Sequence, residues 1–264
     1  MPRPVGRGPT RSSRSSGADT VVVATLRELL PNLRDLGGLP TGDGRRVAQG
    51  RLLRSDGLQR LTAEQRARVV EGLGVRTLID LRSELERGRT GEVEFEIGGD
   101  GAVHRVPILD GSYMQAAAEG LSLTHMFDAI TFDETAALAE AAGLVAAGPA
   151  PVLVFCTAGK DRTGILVALL LDALGVDRSA IVDDFTASEA GVELVMQAFL
   201  ANFDDDELPD IPAEVKAAPP ELLRGLLDRV DERAGGARAL LVAAGLDPAA
   251  FDGLETMLLE PASG

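Results

Sequence analysis

At 264 residues the chain has room for one generous domain or two small ones, and its 45% hydrophobic and 25% charged residues are ordinary for a globular protein. A formal net charge of -15 repels polyanions, which argues against nonspecific binding to nucleic acid or anionic lipid; any anionic ligand needs a strong local cluster of cations. One cysteine excludes an intramolecular disulfide, and two distant histidines, His104 and His125, argue against a histidine-built metal site. There is no run of about 18 apolar residues, so no stable membrane insertion is expected, and without a signal-peptide core the default location is cytoplasmic. With 3% aromatic residues and no Trp, the core must be aliphatic.

Residues 1–18, "MPRPVGRGPTRSSRSSGA", combine Pro, Gly, Ser and Arg without apolar periodicity and are expected to be a disordered tail before a folded domain at 19–264. "NLRDLGG" (32–38) opens a turn-rich stretch that leads to "RLLRSDGL" (51–58). "TAEQ" from Thr62 offers a capping box, with a helix that stops near Gly74. "VRTLIDLR" (75–82) has strand length and contains Asp80, and "SELE" (83–86) is a second capping box. "AVHRVPILD" (102–110) alternates like a strand and closes on Asp110. Helical patterns fill 122–147, and "PVLVF" (151–155) reads as a fully buried strand. Beyond it the chain is helical to its end, broken near 204–212 and 218–220, with Asp247 and Pro248 as N-cap and first residue of a late helix. Strands alternating with helices imply an α/β fold with a mainly parallel central sheet flanked by helices. Ligands of such sheets sit at the C-terminal strand ends, where Asp80, Asp110 and Cys156 fall.

The single cysteine lies in "CTAGKDRTG" (156–164), directly after the buried strand. A thiol at a strand end, followed by a tight loop and a helix N-terminus, makes an anion cradle: the amides of Thr157 to Arg162 can converge, and the helix adds roughly half a positive charge. Helix N-termini and neighbouring cations lower a free thiol's pKa from about 8.5 to roughly 3.5–7.5. A thiolate beneath an anion invites attack on phosphorus, with the planar fork of Arg162 binding two phosphate oxygens. Thr157, Ala158, Gly159, Lys160, Thr163 and Gly164 are the expected phosphate-binding positions, and the Thr163 hydroxyl is placed to bond the sulfur. A buried structural thiol is the plain alternative. A nucleotide-binding P-loop fits poorly, since Asp161 stands where Ser or Thr is needed, and a rhodanese-type sulfur transfer fits less well than phosphoryl chemistry.

The "AGKDRTG" loop resembles that of the bacterial atypical tyrosine phosphatases, and "NLRDLGG", "LLRSDGLQRLT" (52–62), "TLIDLRSELE" (77–86) and "AAGLDPAAFDGLETMLL" (243–259) resemble that family's other signatures in the same order. The resemblance implies a cysteine-phosphatase fold with C-terminal helices and a helical lid over 184–235, whose "LVMQAFL" (194–200) would supply an apolar inner face. It implies hydrolysis of phosphotyrosine through a phosphocysteine, with activity on phosphoserine, phosphothreonine and phosphoinositides open, no metal and no cofactor. Expected partners are phosphorylated proteins or phosphoinositide headgroups, the latter suggested by Lys160 beside Arg162; export without a signal peptide stays open. Cys156 and Arg162 are the expected nucleophile and phosphate clamp. Asp161 is the preferred general acid, with Asp80 and Asp110 as alternatives. Arg34 and Asp35 are expected to pair near the pocket, with Arg54 adding positive potential. One position departs from the family: Phe155 stands where a histidine normally precedes the cysteine, which leaves a catalytically weak phospho-ligand-binding module as the alternative function.

Overall fold

A computed structural model describes residues 16–90, 95, 97–109, 122–200 and 216–261. Helix α1 (Ser16–Leu26) starts inside the expected tail, whose residues 1–15 lie outside the described residues. The strands are β1 (Arg34–Asp35), β2 (Arg45–Val47), β3 (Leu52–Ser55), β4 (Thr77–Asp80), β5 (Ala102–Arg105), β6 (Val152–Phe155) and β7 (Leu259–Pro261). The main sheet runs β1-β3-β6-β4-β5, parallel except for the antiparallel β1 edge. β2 and β7 form a separate antiparallel pair that ties the chain's end to its beginning, which the sequence pattern did not announce.

Helices cover both faces. α1 and α2 (Ala63–Leu73) close one side over a core of Leu26, Leu30, Leu53, Val69, Leu78, Leu153 and Phe155. The larger core, on the other face, gathers α4 (Leu123–Asp128), α5 (Thr135–Ala147), α6 (Asp161–Ala173), α7 (Arg178–Thr186), α9 (Pro220–Ala234), α10 (Ala237–Ala243) and α11 (Ala250–Leu258). α3 (Glu84–Thr90) follows β4, and α8 (Ser188–Leu200) follows α7. β6 has every residue buried because it is central and covered twice, so its run of Val, Leu and Phe needs no polar alternation. Each such side chain contributes roughly 1.5–3 kcal/mol on burial.

Local signals place several boundaries. Thr62 accepts from the Gln65 amide at 3.2 Å while Gln65 Oε1 accepts from the Thr62 amide at 2.9 Å, and Gly74 ends α2 in the left-handed region at φ 63°. Ser83 and Glu86 form the second expected box at the start of α3. The late helix begins at Ala250, later than expected: Asp247 instead caps the preceding turn, accepting from the Ala249 amide at 2.9 Å. Within 184–235, α7, α8 and α9 are helical as read, and 201–215 lie outside the described residues. Of the apolar inner face expected at 194–200, Leu194 is 52% exposed and Val195 is buried, while the side chains at 196 and 198–200 lie outside the described ones. No described helix is long and apolar enough to cross a membrane.

Candidate active site

Parallel pairing brings the C-terminal ends of β3, β4 and β6 side by side, with Ser55 and Asp80 in register with Phe155. Cys156 is the next residue, and period-two alternation decides its direction: Val152, Val154 and Cys156 belong to the larger core, Leu153 and Phe155 to the smaller. The thiol is 2% exposed, and its Sγ accepts the Gly159 amide at 3.2 Å. Gly159 has φ +69°, and a Cβ there would lie 2.3 Å from the Ser55 carbonyl oxygen, so the loop can close against β3 only with glycine. The first-turn amides of α6 have no intrahelical acceptor, which leaves a partial positive end beside the sulfur.

The loop is held from outside at three successive carbonyls. Thr157 O accepts the Gly57 amide at 3.0 Å, Ala158 O accepts Asn32 Nδ2 at 2.7 Å, and Gly159 O accepts Arg54 Nη2 at 2.7 Å.

Arg162 is gripped by Glu86. Its Nη1 donates to Glu86 Oε2 at 2.5 Å and its Nη2 to Oε1 at 2.7 Å, a fork-to-carboxylate geometry. The Thr157 hydroxyl donates to the same Oε1 at 2.5 Å. Burial alone would push the Glu86 carboxyl up, but Arg162, Thr157 and the Ser83 amide outweigh it and hold its pKa down at about 2. Burial likewise opposes the charge on Arg162, yet Glu86 and the nearby Cys156 raise its pKa above the ordinary value. Glu86 was legible only as the capping residue of α3. The same carboxylate both caps that helix and orients the guanidinium.

A second guanidinium lies beneath the loop. Arg54 is fully buried; burial and the charge of Arg34 bring its pKa down to about 10, against the pull of Asp184 and Cys156. Asp184 in α7 bridges the two cations, accepting Arg54 Nη1 at 2.5 Å and Arg34 Nε at 2.6 Å. Burial pushes the Asp184 carboxyl up, and the two arginines more than reverse that, so its pKa falls. The expected Arg34–Asp35 pair is therefore replaced: Arg34 turns to Asp184, and Asp35 accepts the Gly37 and Gly50 amides at 2.9 and 2.7 Å. Asp184 carried no signal in the sequence, since it sits in an ordinary amphipathic helix far from the loop.

Other expected residues are placed as follows. Asp161 heads α6, its side chain 23% exposed, with Oδ1 at 3.4 Å from Lys160 Nζ. Lys160 is 1% exposed and donates from Nζ to Ala217 O at 2.9 Å. The Thr163 hydroxyl is buried but makes no bond to the sulfur; it has no hydrogen-bond partner among the described residues. Gly164 lies where a Cβ would come within 3.1 Å of the Phe185 ring. Asp80 faces the opposite side of the sheet from Cys156, as the alternation from Leu78 requires, and its carboxylate is engaged by Arg82 Nε at 2.9 Å and Nη2 at 2.6 Å. Arg82 also lies 5.6 Å from the Phe155 ring centroid, and Phe95 meets that ring edge-on at 6.2 Å. Asp110 lies outside the described residues. Among the described residues no cluster of three or more His, Cys, Asp or Glu could hold a metal ion.

A buried thiol that accepts the Gly159 amide, beside a helix N-terminus and a guanidinium held by Glu86, thus stands at the C-terminal edge of a mainly parallel sheet. Residues 27–260 match the tyrosine phosphatase family, and the chain belongs to that family. It is 29% identical over 271 residues to the triple specificity protein phosphatase PtpB of Mycobacterium tuberculosis, covering 86% of this chain and 96% of that one. A tyrosine-protein phosphatase assigned by inference in Cupriavidus necator is 36% identical over 172 residues, 61% of either chain. The crystal structure of P. aeruginosa TpbA aligns at a TM-score of 0.33 and 20% identity, covering 62% of this chain and 88% of that one.

Proposed function

We propose that the protein hydrolyses phosphotyrosine in proteins by two phosphoryl transfers through Cys156. The observation that carries this reading is the buried Sγ at 3.2 Å from the Gly159 amide, with Arg162 aligned by Glu86 at the same loop. The loop amides and Arg162 bind the phosphate oxygens and stabilise the charge that develops in transfer. The thiolate attacks phosphorus as the P–O bond to tyrosine breaks, and Asp161 gives its proton to the departing phenolate. Water then attacks the phosphocysteine, Asp161 takes a proton from it, and the S–P bond returns its electrons to sulfur.

Asp161 is favoured over Asp80 as the acid for a geometric reason. Asp161 starts the helix that carries Arg162, whereas the Asp80 carboxylate lies on the other face and is saturated by Arg82. The ring of Phe155 is also on that other face, fully buried, so position 155 acts on the loop through its backbone. Lys160 Nζ is turned to the Ala217 carbonyl, so its support for phosphoinositide or phosphoserine substrates is secondary and phosphotyrosine is the first expectation.

The deciding experiment measures phosphate release from phosphotyrosine and phosphoserine peptides and from a phosphoinositide, with Cys156→Ser as control. Release from the tyrosine peptide, its loss in Cys156→Ser, and an acid-trapped phosphocysteine are expected. Asp161→Asn should slow turnover by about 10²–10⁴. A protein that binds the phosphopeptide yet releases no phosphate from any aryl phosphate would be a binding module instead.

A further inference from the structure

A trans peptide points its C=O and N–H in opposite directions, so a loop carbonyl fixed outward aims the following residue's N–H inward. The Ala158 carbonyl is fixed by Asn32 Nδ2 at 2.7 Å, and the N–H of that same peptide is the one Gly159 donates to the sulfur at 3.2 Å. The Gly159 carbonyl is fixed by Arg54 Nη2 at 2.7 Å, and the N–H of that peptide belongs to Lys160. Neither anchor is part of the loop. Asn32 precedes β1, and Arg54 comes from β3.

Both anchors lead to one carboxylate. Asp184 holds Arg54 directly and Arg34 through Nε, and Arg34 Nη1 donates to the Asn32 carbonyl at 3.0 Å and to its side-chain oxygen. A guanidinium only donates, so the Asn32 side-chain oxygen must face Arg34 and its amide nitrogen must face Ala158. The Asn32 backbone is pinned as well, its N–H donating to Asp56 Oδ1 at 2.9 Å. Asn32 and Arg54 are 1% and 0% exposed, so solvent cannot stand in for either bond.

We propose that Asn32 and Arg54, both organised by Asp184, are positioning residues that aim the Gly159 and Lys160 amide protons at the sulfur and at a bound phosphoryl group. This deepens the phosphatase reading and rests on it for its effect on catalysis, but its effect on the thiol can be read without turnover. A purely structural role would lower stability and leave the thiol and the affinity for phosphate unchanged.

The single cysteine makes the test unambiguous. Iodoacetamide alkylation of Cys156 is followed against pH in the full chain, with Cys156→Ser as blank, inhibition by inorganic phosphate measured on the same samples, and thermal unfolding as the check of fold. Asn32→Ala should move the alkylation midpoint up by about one pH unit, a tenfold loss of thiolate, and weaken phosphate inhibition about tenfold. Asn32→Asp, similar in size but without a donor towards Ala158, should do so more strongly. Arg54→Lys, able to reach Gly159 or Asp184 but not both, should lose part of the phosphate affinity, and Arg54→Met more of it. A folded Asn32→Ala whose midpoint and phosphate inhibition stay within about twofold of the parent overturns the proposal. If the Arg54 variants fail to fold, the two Asn32 variants decide it. A parent that alkylates as expected but releases no phosphate overturns the phosphatase reading alone.

Discussion

Arg162 and Arg54 both lie close to Cys156, yet the fold uses them in opposite ways. Arg162 shares a partly open pair with Glu86, their side chains 13% and 26% exposed, and its fork can meet a ligand. Arg54 is sealed against Asp184 at 1% and 7% exposure, and it spends a donor on the Gly159 carbonyl. Glu86 and Cys156 keep the proton on Arg162 firmly bound, whereas burial and Arg34 loosen it on Arg54. In the proposed reading one cation receives the anion, and the other shapes the surface that receives it. An anion site therefore needs two kinds of positive group, and only the first kind belongs to the loop motif.

This division can be broken or sharpened by substitution. The largest effect is expected for Arg162→Ala, which should lower kcat/KM for an aryl phosphate by about 10³-fold or more, on the order of 4 kcal/mol of transition-state stabilisation, while the fold survives. Equal loss of turnover and of stability in that variant would erase the distinction between receiving and shaping. Asp80→Asn tests a third buried pair, which lies on the other face of the sheet. Weakening its hold on Arg82 should cost about 3 kcal/mol in a denaturant melt and leave turnover per folded molecule within about twofold. Loss of the alkaline limb of its pH–rate profile would instead make Asp80 the acid.

Glu86→Gln comes next. Removing a charge-assisted bond worth about 1.5–3 kcal/mol should reduce kcat/KM about ten- to a hundredfold with the alkylation profile of Cys156 little changed. The same carboxylate has a pH signature. Its folded pKa of about 2 lies below the ordinary 4.5, so its stabilisation is present above about pH 4.5 and is lost as pH falls towards 2. Melting temperatures recorded from neutral pH downward should fall more steeply in that window for the parent than for Glu86→Gln. The smallest effect belongs to Thr62→Ala, remote from both arginines: losing the α2 cap should cost about 1 kcal/mol and leave kinetics untouched. A kinetic change there would mean that α2 communicates with the loop.

Much of the sheet could be read ahead because its signals are local. The apolar run at 152–155, the Thr62 and Ser83 boxes and the stop at Gly74 each depend on a few neighbouring residues. The late helix slipped to Ala250 because Asp247 could cap either the helix or the turn before it, and the turn won. The β2–β7 pair was hidden, since short strands of three residues so far apart leave no periodic trace. At the site, Cys156, Gly159 and Arg162 follow from one compact motif. The expected sulfur bond from Thr163 does not form; the sulfur instead accepts the Gly159 amide, which the motif alone did not single out. Asp80, promising at a strand end, faces away, because direction depends on alternation within a sheet whose partner strands must first be known.

By itself the order of residues determined that a lone thiol would end a buried strand and meet a helix start, with a guanidinium in that helix's first turn. Those features need only backbone geometry and near neighbours. What the tertiary structure decided is which polar groups gather around that loop: Glu86, Asn32, Arg54 and Asp184 come from four separate segments and meet only when the sheet closes. Covalent spacing limits what can touch within a segment, but the partner of a buried charge is set by packing, and packing is a property of the whole fold.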